Sequence, residues 1–340
     1  MTTNLFKKAV FFTDIHFGKS SNSLAHNNDC IEFIEWMIKV AKEQGCETCF
    51  FLGDYHNNRA SVNVHTLNYA LKGLELISAA FDQTYFIPGN HDLYWKESRQ
   101  IQSMEFAKHL PNITIVNDFF KQGDVSIVPW LIGDDYKKLS KISAQYMLGH
   151  FELPSFYMNA QIQMPEHSNG PKREQLSKIG HVFSGHFHKR QTNGNITYMG
   201  NCFPHNFSDE GDDDRGIMIL EWGQEPVYQA WPDAPAYRIY SLSQILEDPA
   251  QFLKPKRHIK VNLDVDISYE EANFIKETFI KQYSLRELTL IPTKNSEHEH
   301  DSTTGEIKFQ TVDQVVFENI NDISSEFFNN QLLLDIYRSL

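Results

Sequence analysis

The chain has 340 residues, 41% of them hydrophobic and 13% aromatic, which excludes a disordered protein and gives apolar material for one large domain beside a smaller one. Its 31 basic and 44 acidic residues leave a net charge of −13, which argues against gripping a polyanion by the overall surface field. No apolar run reaches the ~18 residues of a membrane span, and residues 1–8 lack the apolar core of a secretory signal, so a soluble cytoplasmic protein is expected.

Four cysteines, Cys30, Cys46, Cys49 and Cys202, are too few for a disulfide framework and suit a reducing compartment. Cys46 and Cys49 form a lone CxxC that runs into Phe50-Phe51-Leu52, so a structural role outweighs a redox or zinc role.

Residues 7–13 read as a buried strand ending in Asp14-Ile15-His16-Phe17-Gly18. Asn27 or Asn28 is expected to cap a helix to about Gln44, with Ile31, Ile34, Met37, Ile38 and Ala41 at helical spacing and Gly45 as the stop. Strand two, residues 49–52, ends in Gly53-Asp54-Tyr55-His56-Asn57. A helix over residues 64–80 leads to a third strand and Pro88-Gly89-Asn90-His91-Asp92. Continuous apolar strands alternating with helices imply parallel pairing with both faces covered.

The pattern then predicts a helix near residues 98–110 and strands at 113–116 and 125–129. Two more apolar runs end in histidine: residues 146–150 at Gly149-His150, and residues 181–188 at Gly185-His186-Phe187-His188. Strands at 197–199, 217–221 and 227–230 follow, broken by an acidic loop, residues 208–214, and a Gly223-Gln224 turn.

Composition shifts at Trp231-Pro232-Asp233-Ala234-Pro235, which places a domain boundary after residue 232. Residues 233–292 then form a small α+β unit, with a strand at 258–265, a helix at 269–282 and a strand at 287–291. Residues 293–306 read as a polar linker; their His298 and His300 are a solvated tether rather than a metal site. Residues 307–340 carry two amphipathic helical patterns, one through Val312, Val315, Val316 and Phe317, the other through Phe327, Phe328, Leu332, Leu333, Ile336 and Tyr337. Their apolar faces are either offered to a partner or folded back.

The chemistry lies in the polar residues at strand ends: Asp14, His16, Asp54, Asn90, His91, His150, His186 and His188. One such histidine is ordinarily a hydrogen-bonded loop residue, but five sites converging on the carboxyl edge of a sheet form the crevice where open α/β sheets bind ligands. Glycine before Asp54, Asn90, His150 and His186 lets the backbone turn tightly. Carboxylate, amide oxygen and imidazole without thiolate suit Mn²⁺ or Fe²⁺, with Mg²⁺ as a further candidate, better than a structural zinc.

Two ions match the ligand count. Asp14, His16, Asp54 and His188 hold one; Asp54, Asn90, His150 and His186 hold the other, with Asp54 bridging through its two oxygens. Two carboxylates against two divalent ions leave the site at about +2, a local attraction for phosphate in an acidic protein. Such a pair clamps a phosphoryl group and lowers the pKa of a water.

Asp14-x-His16, Gly53-Asp54, Gly89-Asn90-His91-Asp92, Gly149-His150 and Gly185-His186-x-His188, in this order over residues 5 to about 200, resemble the five signatures of the calcineurin-like metallophosphoesterases. The resemblance implies an α/β fold, a metallophosphoesterase β-sandwich flanked by helices. It makes His91 the proton donor to the leaving oxygen; Asp92 is read as a residue that either supports the ligands from behind or fixes the loop.

The Asp-Ile-His-Phe-Gly start, Gly149-His150-x-Glu152, the small α+β unit and the terminal helices are further similar to the SbcD-type recombination nucleases, their T-even-phage members most closely. That likeness implies Mn²⁺-dependent cleavage of DNA and a capping domain that guides DNA. It also implies homodimerisation, an SbcC-type coiled-coil ATPase bound by the C-terminal helices, and, for a phage-encoded chain, the host cytoplasm. One departure stands out: Asn57 occupies the place where such nucleases carry a histidine, and many phosphatases an aspartate, to support His91. Arg59 is a candidate phosphate contact. The alternative function is a phosphatase or phosphodiesterase acting on a substrate other than nucleic acid.

Overall fold

A computed structural model describes residues 4–159, 162–166 and 170–292. It divides into two compact units, one running to Arg238 and regaining Pro255–His258, the other comprising Ile239–Lys254 and the described residues from Ile259. The expected linker and C-terminal helices lie outside the described residues.

The first unit is a sandwich of two six-stranded sheets. In one, β1 (Lys8–Phe12), β2 (Thr48–Phe51), β3 (Gln83–Phe86) and a later strand at Ile113–Ile115 run parallel. After β3 the chain makes a hairpin, β4 (Leu93–Trp95) with β5 (Ser98–Gln102), before that strand, which is therefore β6. The second sheet begins with β7 (Phe120–Gln122) and β8 (Val125–Val128) and continues through β9 (Ala144–His150), β10 (Ile179–Gly185), β11 (Gln191–Asn193) and β12 (Ile196–Tyr198). Strands β8, β9, β10 and β12 are parallel, with β7 and β11 antiparallel at the edges. The chain then returns to the first sheet as β13 (Gly216–Glu221), antiparallel to β1, and β14 (Val227–Ala230).

Alternation along the strands explains the layers. Phe11, Phe50, Leu52 and Tyr85 point from the first sheet into the sandwich, where they meet Tyr146, Leu148 and Phe183 from the second. Val10, Phe12, Cys49 and Phe51 point the other way, against the helices Leu24–Glu43 and Val64–Ala80. The free thiols of Cys46 and Cys49 are buried in that layer, which pushes Cys46 up to about 11, as the structural reading of the CxxC expects. The outer face of the second sheet is covered mainly by loops and short turns that carry Leu139, Leu153, Phe156, Leu176 and Phe187.

Two local expectations are corrected. The first helix is capped by Ser23, whose hydroxyl accepts from His26 N at 3.4 Å, rather than by Asn27 or Asn28. Asn27 lies within the helix, and its side chain is spent on Gly18 N and Thr66. The helix expected near residues 98–110 is instead strand β5 followed by a turn of 3₁₀-helix, Glu105–His109. Tertiary bonds override the weak local pattern: Ser103 N donates to Asp92 O at 2.7 Å, and the Arg99 guanidinium reaches Trp130 O and Asp135.

The second unit takes in most of a three-stranded sheet of β15 (Ala236–Ser241), β16 (Arg257–Leu263) and β17 (Glu287–Pro292), with the helix Tyr269–Tyr283; β15 and β16 both start within residues that belong to the first unit. Ser268 and Glu271 form a reciprocal capping box that starts this helix. Leu242, Ile245, Ile259, Val261 and Leu288 make a separate core, so the unit has its own apolar interior. Among the described residues no helix is long and apolar enough to cross a membrane.

Candidate metal centre

Parallel pairing places the carboxyl ends of β1, β2 and β3 side by side, and those of β9 and β10 likewise in the facing sheet. All seven sequence-derived ligands therefore converge. His16 Nε2 lies 3.8 Å from Asp14 Oδ1 and 3.7 Å from Asp54 Oδ2. His188 Nε2 lies 3.9 Å from Asp14 Oδ1. On the other side His150 Nε2 is 3.5 Å from Asp54 Oδ2 and 3.2 Å from Asn90 Oδ1.

Each carboxylate divides its oxygens. Asp14 Oδ2 accepts from the Thr13 hydroxyl at 2.6 Å and from His186 N at 3.0 Å, while Oδ1 is buried with no hydrogen-bond partner. Asp54 Oδ1 accepts from His91 N at 2.8 Å, and Oδ2 faces His16 on one side and His150 on the other. Asp54 Oδ2 is thus the oxygen that faces both groups of imidazoles.

The imidazoles are aimed in the same manner. His150 Nδ1–H donates to Leu52 O at 2.6 Å, which fixes the tautomer and turns Nε2 inward, as second partners of metal-binding histidines do. Both ring nitrogens of His16 are buried without partners. Unpaired buried polar atoms of this kind each cost about 1–3 kcal/mol, and a cation bound at the acceptors among them would offset that cost. The residues present thus suit divalent ions.

Among the described residues three groups bring one candidate ligand atom from each member within 4.8 Å of the others: Asp54 with His150 and His186, His16 with Asp54 and His91, and His16 with His188 and His205. His205 has no signal in the sequence, since it follows Pro204 on a turn rather than a glycine at a strand end. Trp130, which packs its ring against His150 and His186, also escapes sequence reading, whereas Glu152, read there as part of the nuclease-like motif, has its carboxylate 3.6 Å from His186 Nε2.

Electrostatics follows from burial. Burial opposes charge on Asp14, but His16, His150 and His188 outweigh it and hold the carboxyl down to about 2. Burial likewise disfavours an imidazolium at His16, His186 and His188 and lowers all three, so each ring keeps a lone pair on one nitrogen. His150 is the exception: burial opposes its charge, yet Asp54, Asp14 and the Leu52 carbonyl carry it up to about 9.

The glycines serve close approach more than turning. Of the four glycines that precede candidate ligands only Gly53 has left-handed backbone, φ 108°, and a Cβ there would lie 2.2 Å from His150 Nδ1. At Gly89 a Cβ would meet Asp54 Oδ1 at 2.2 Å, and at Gly185 it would meet Thr13 Oγ1 at 2.1 Å. The positive φ that the strand ends require is taken by the candidate ligands themselves: Asp14 (54°), His16 (53°), Asp54 (62°) and His186 (90°). Such strain, about 1–3 kcal/mol per residue, persists where surrounding bonds over-determine it. Here Asp14 N donates to Gly53 O and His16 N to Asp54 O, at 2.9 and 3.1 Å.

Asp92 ties two of these loops together. Its carboxylate accepts from the backbone N–H groups of Gly89, Asp54, Tyr55 and His56 at 2.9–3.1 Å. Burial, helped by the Asp54 charge, still raises Asp92 to about 6 against those donors. His91 is oriented by backbone: its Nδ1–H donates to Asn57 O at 2.7 Å, so Nε2 is the nitrogen left for the site. The Asn57 side chain instead donates to Asn58. Arg59 Nε donates to Asn90 O at 3.0 Å and so pins the ligand-bearing loop.

The family model described as calcineurin-like phosphoesterase matches residues 7–190, more than half of the chain. The chain is 25% identical over 223 residues to "Exonuclease subunit 1" of Enterobacteria phage T4, a match covering 63% of this chain and 64% of that protein, just under two thirds of its length. A dimetal phosphatase from Danio rerio is 10% identical at a TM-score of 0.42, over 66% of this chain and 96% of its own. The Pseudomonas putida nuclease MPE is 16% identical at a TM-score of 0.31, over 67% of this chain and 81% of its own.

Proposed function

The chain belongs to the calcineurin-like phosphoesterase family, and we propose that within it this metal-dependent phosphoesterase is a two-metal phosphodiesterase that cleaves DNA together with an SbcC-type coiled-coil ATPase. The observation that carries the two-metal part is the Asp54 carboxylate, whose Oδ2 lies between His16 at 3.7 Å and His150 at 3.5 Å. Asp14, His16, Asp54 and His188 would hold one ion, and Asp54, Asn90, His150 and His186 the other; Mn²⁺ is our first choice, with Mg²⁺ and Fe²⁺ behind it. When bound, the pair supplies an activated water and withdraws charge from the phosphoryl oxygens.

The remaining steps belong to the chain. His91, held through Nδ1 by the Asn57 carbonyl, presents Nε2 to the leaving oxygen and gives it a proton. Asp92 and Arg59 keep the loop of Asn90 and His91 in register with Asp54. DNA as substrate is supported by the likeness to the phage T4 exonuclease subunit and by the resemblance of Asp14-Ile15-His16-Phe17-Gly18 and Gly149-His150-x-Glu152 to the SbcD-type nucleases. Under this reading residues 233–292 cap the site and guide DNA, residues 293–306 are a tether, residues 307–340 bind the ATPase, and the chain works as a homodimer.

The net charge of −13 favours a second reading, a phosphatase or phosphodiesterase with a substrate other than nucleic acid. Purified protein with Mn²⁺ or Mg²⁺, given labelled linear and hairpin DNA beside a generic phosphomonoester, separates the two. Cleavage of DNA is expected; hydrolysis of the monoester alone would install the second reading. Deleting residues 307–340 should spare simple phosphodiester hydrolysis and abolish co-purification of the ATPase.

A further inference from the structure

We propose that His205 is a fifth protein ligand of the ion assigned above to Asp14, His16, Asp54 and His188, an inference that rests on the two-ion reading. His205 is 2% exposed, and neither of its ring nitrogens has a hydrogen-bond partner. It shares with His16 and His188 a set of candidate ligand atoms that all lie within 4.8 Å of one another. Nitrogens bound to one ion at ~2.1 Å stand at most about 4.2 Å apart, so small side-chain rotations suffice to close the set.

The backbone of His205 is anchored while its ring is left unpaired. Its N–H donates to Asp209 Oδ2 at 2.9 Å, and its carbonyl accepts from the Tyr237 hydroxyl at 2.9 Å. Asp209 is in turn backed by Arg215, whose guanidinium is fully buried and lies 3.5 Å from Asp209 Oδ1. Arg215 also donates to Asn201 and Asp212. A buried ion pair and two backbone bonds thus hold one imidazole against His16 and His188, with ring centroids 5.4 Å apart in both cases. A histidine wanted only for packing would be replaceable by an apolar side chain without leaving two nitrogens unsatisfied.

The consequence is chemical asymmetry between the two positions. With His205 the first ion has three imidazoles and two carboxylates; the second has two imidazoles, an amide oxygen and one carboxylate. More imidazole favours Fe²⁺, Co²⁺ or Zn²⁺ over Mg²⁺ at the first position.

The test uses metal-free full-length protein titrated with Co²⁺, read by calorimetry, by bound-metal analysis and by the visible absorption of the ion. Wild type is expected to take two ions per chain. His205→Ala should keep one at unchanged affinity, bind the other about 10- to 100-fold more weakly, and shift its absorption bands. Added imidazole should restore the bands in His205→Gly. Two ions bound by His205→Ala with unchanged affinities and spectrum would overturn the proposal. Fewer than two ions in wild type would remove the two-ion reading and this proposal with it. Should the small variants fail to fold, paramagnetically shifted imidazole N–H resonances of Co²⁺-loaded wild type decide, with His205 expected among them and its absence overturning the assignment.

Discussion

Replacing Gly89 by alanine adds only one methyl group, yet it should disable the site, because that group would enter the space of Asp54. The new Cβ would sit 2.2 Å from Asp54 Oδ1, 2.5 Å from Asp54 N and 2.9 Å from Asp54 Cγ, whereas ordinary contact begins at 3.4 Å. Retreat of the loop is opposed by Gly89 N and Asp54 N, both bonded to the same Asp92 carboxylate. The carboxylate of Asp54 must therefore yield by about 1 Å, and misplacement of that size costs about 10²-fold in rate. Since Asp54 Oδ2 faces both metal positions, bound metal should fall together with turnover. The assay is Mn²⁺-dependent hydrolysis of an activated phosphodiester, with bound-metal analysis and the thermal melt of the metal-free protein alongside. Gly89→Ala within about threefold of wild-type kcat, with two ions still bound, would refute the reasoning, because the Asp54 placement would then not be what the chemistry depends on.

Asp54→Ala should abolish metal-dependent activity; full Mn²⁺-dependent turnover in it would sink the bridging assignment. His91→Ala should keep its metal and lose about 10²- to 10⁴-fold in kcat, and loss of metal from this variant would make His91 a ligand instead. Asn57→Ala should change kcat by no more than about threefold, since the group that orients His91 is the backbone carbonyl, which alanine retains; a drop beyond about tenfold would mean that the side chain matters. Burial holds His56 down to about 4 from an ordinary 6.5, so its neutral form belongs to the folded state. The unfolded chain binds the extra proton as pH falls from 6.5 toward 4, and stability drops through that window by about 3 kcal/mol. His56→Asn should flatten the melting-temperature slope there, and an unchanged slope would count against the burial argument.

Much of the site was legible because its residues sit at a repeated place, the first positions after an apolar strand. Asp14, Asp54, Asn90, His150 and His186 all follow that pattern, and parallel pairing then brings them together without further information. The same local logic gave the helix Val64–Ala80 and the strands that bear the motifs. It failed at residues 98–110, where the bonds of Arg99 to Trp130 and Asp135, 31 and 36 residues away, decide between helix and hairpin.

What the sequence by itself determined is therefore the placement of candidate ligands at strand ends and the alternating layers around them, since both depend on neighbours in the chain. Tertiary structure alone decided three things: that Asp54 presents Oδ2 to both sides, that a backbone carbonyl rather than a side chain orients His91, and that His205 reaches His16 from a turn after β12. Each rests on contacts between segments far apart in sequence, whose geometry is set by how the two sheets face each other and not by any local pattern of residues.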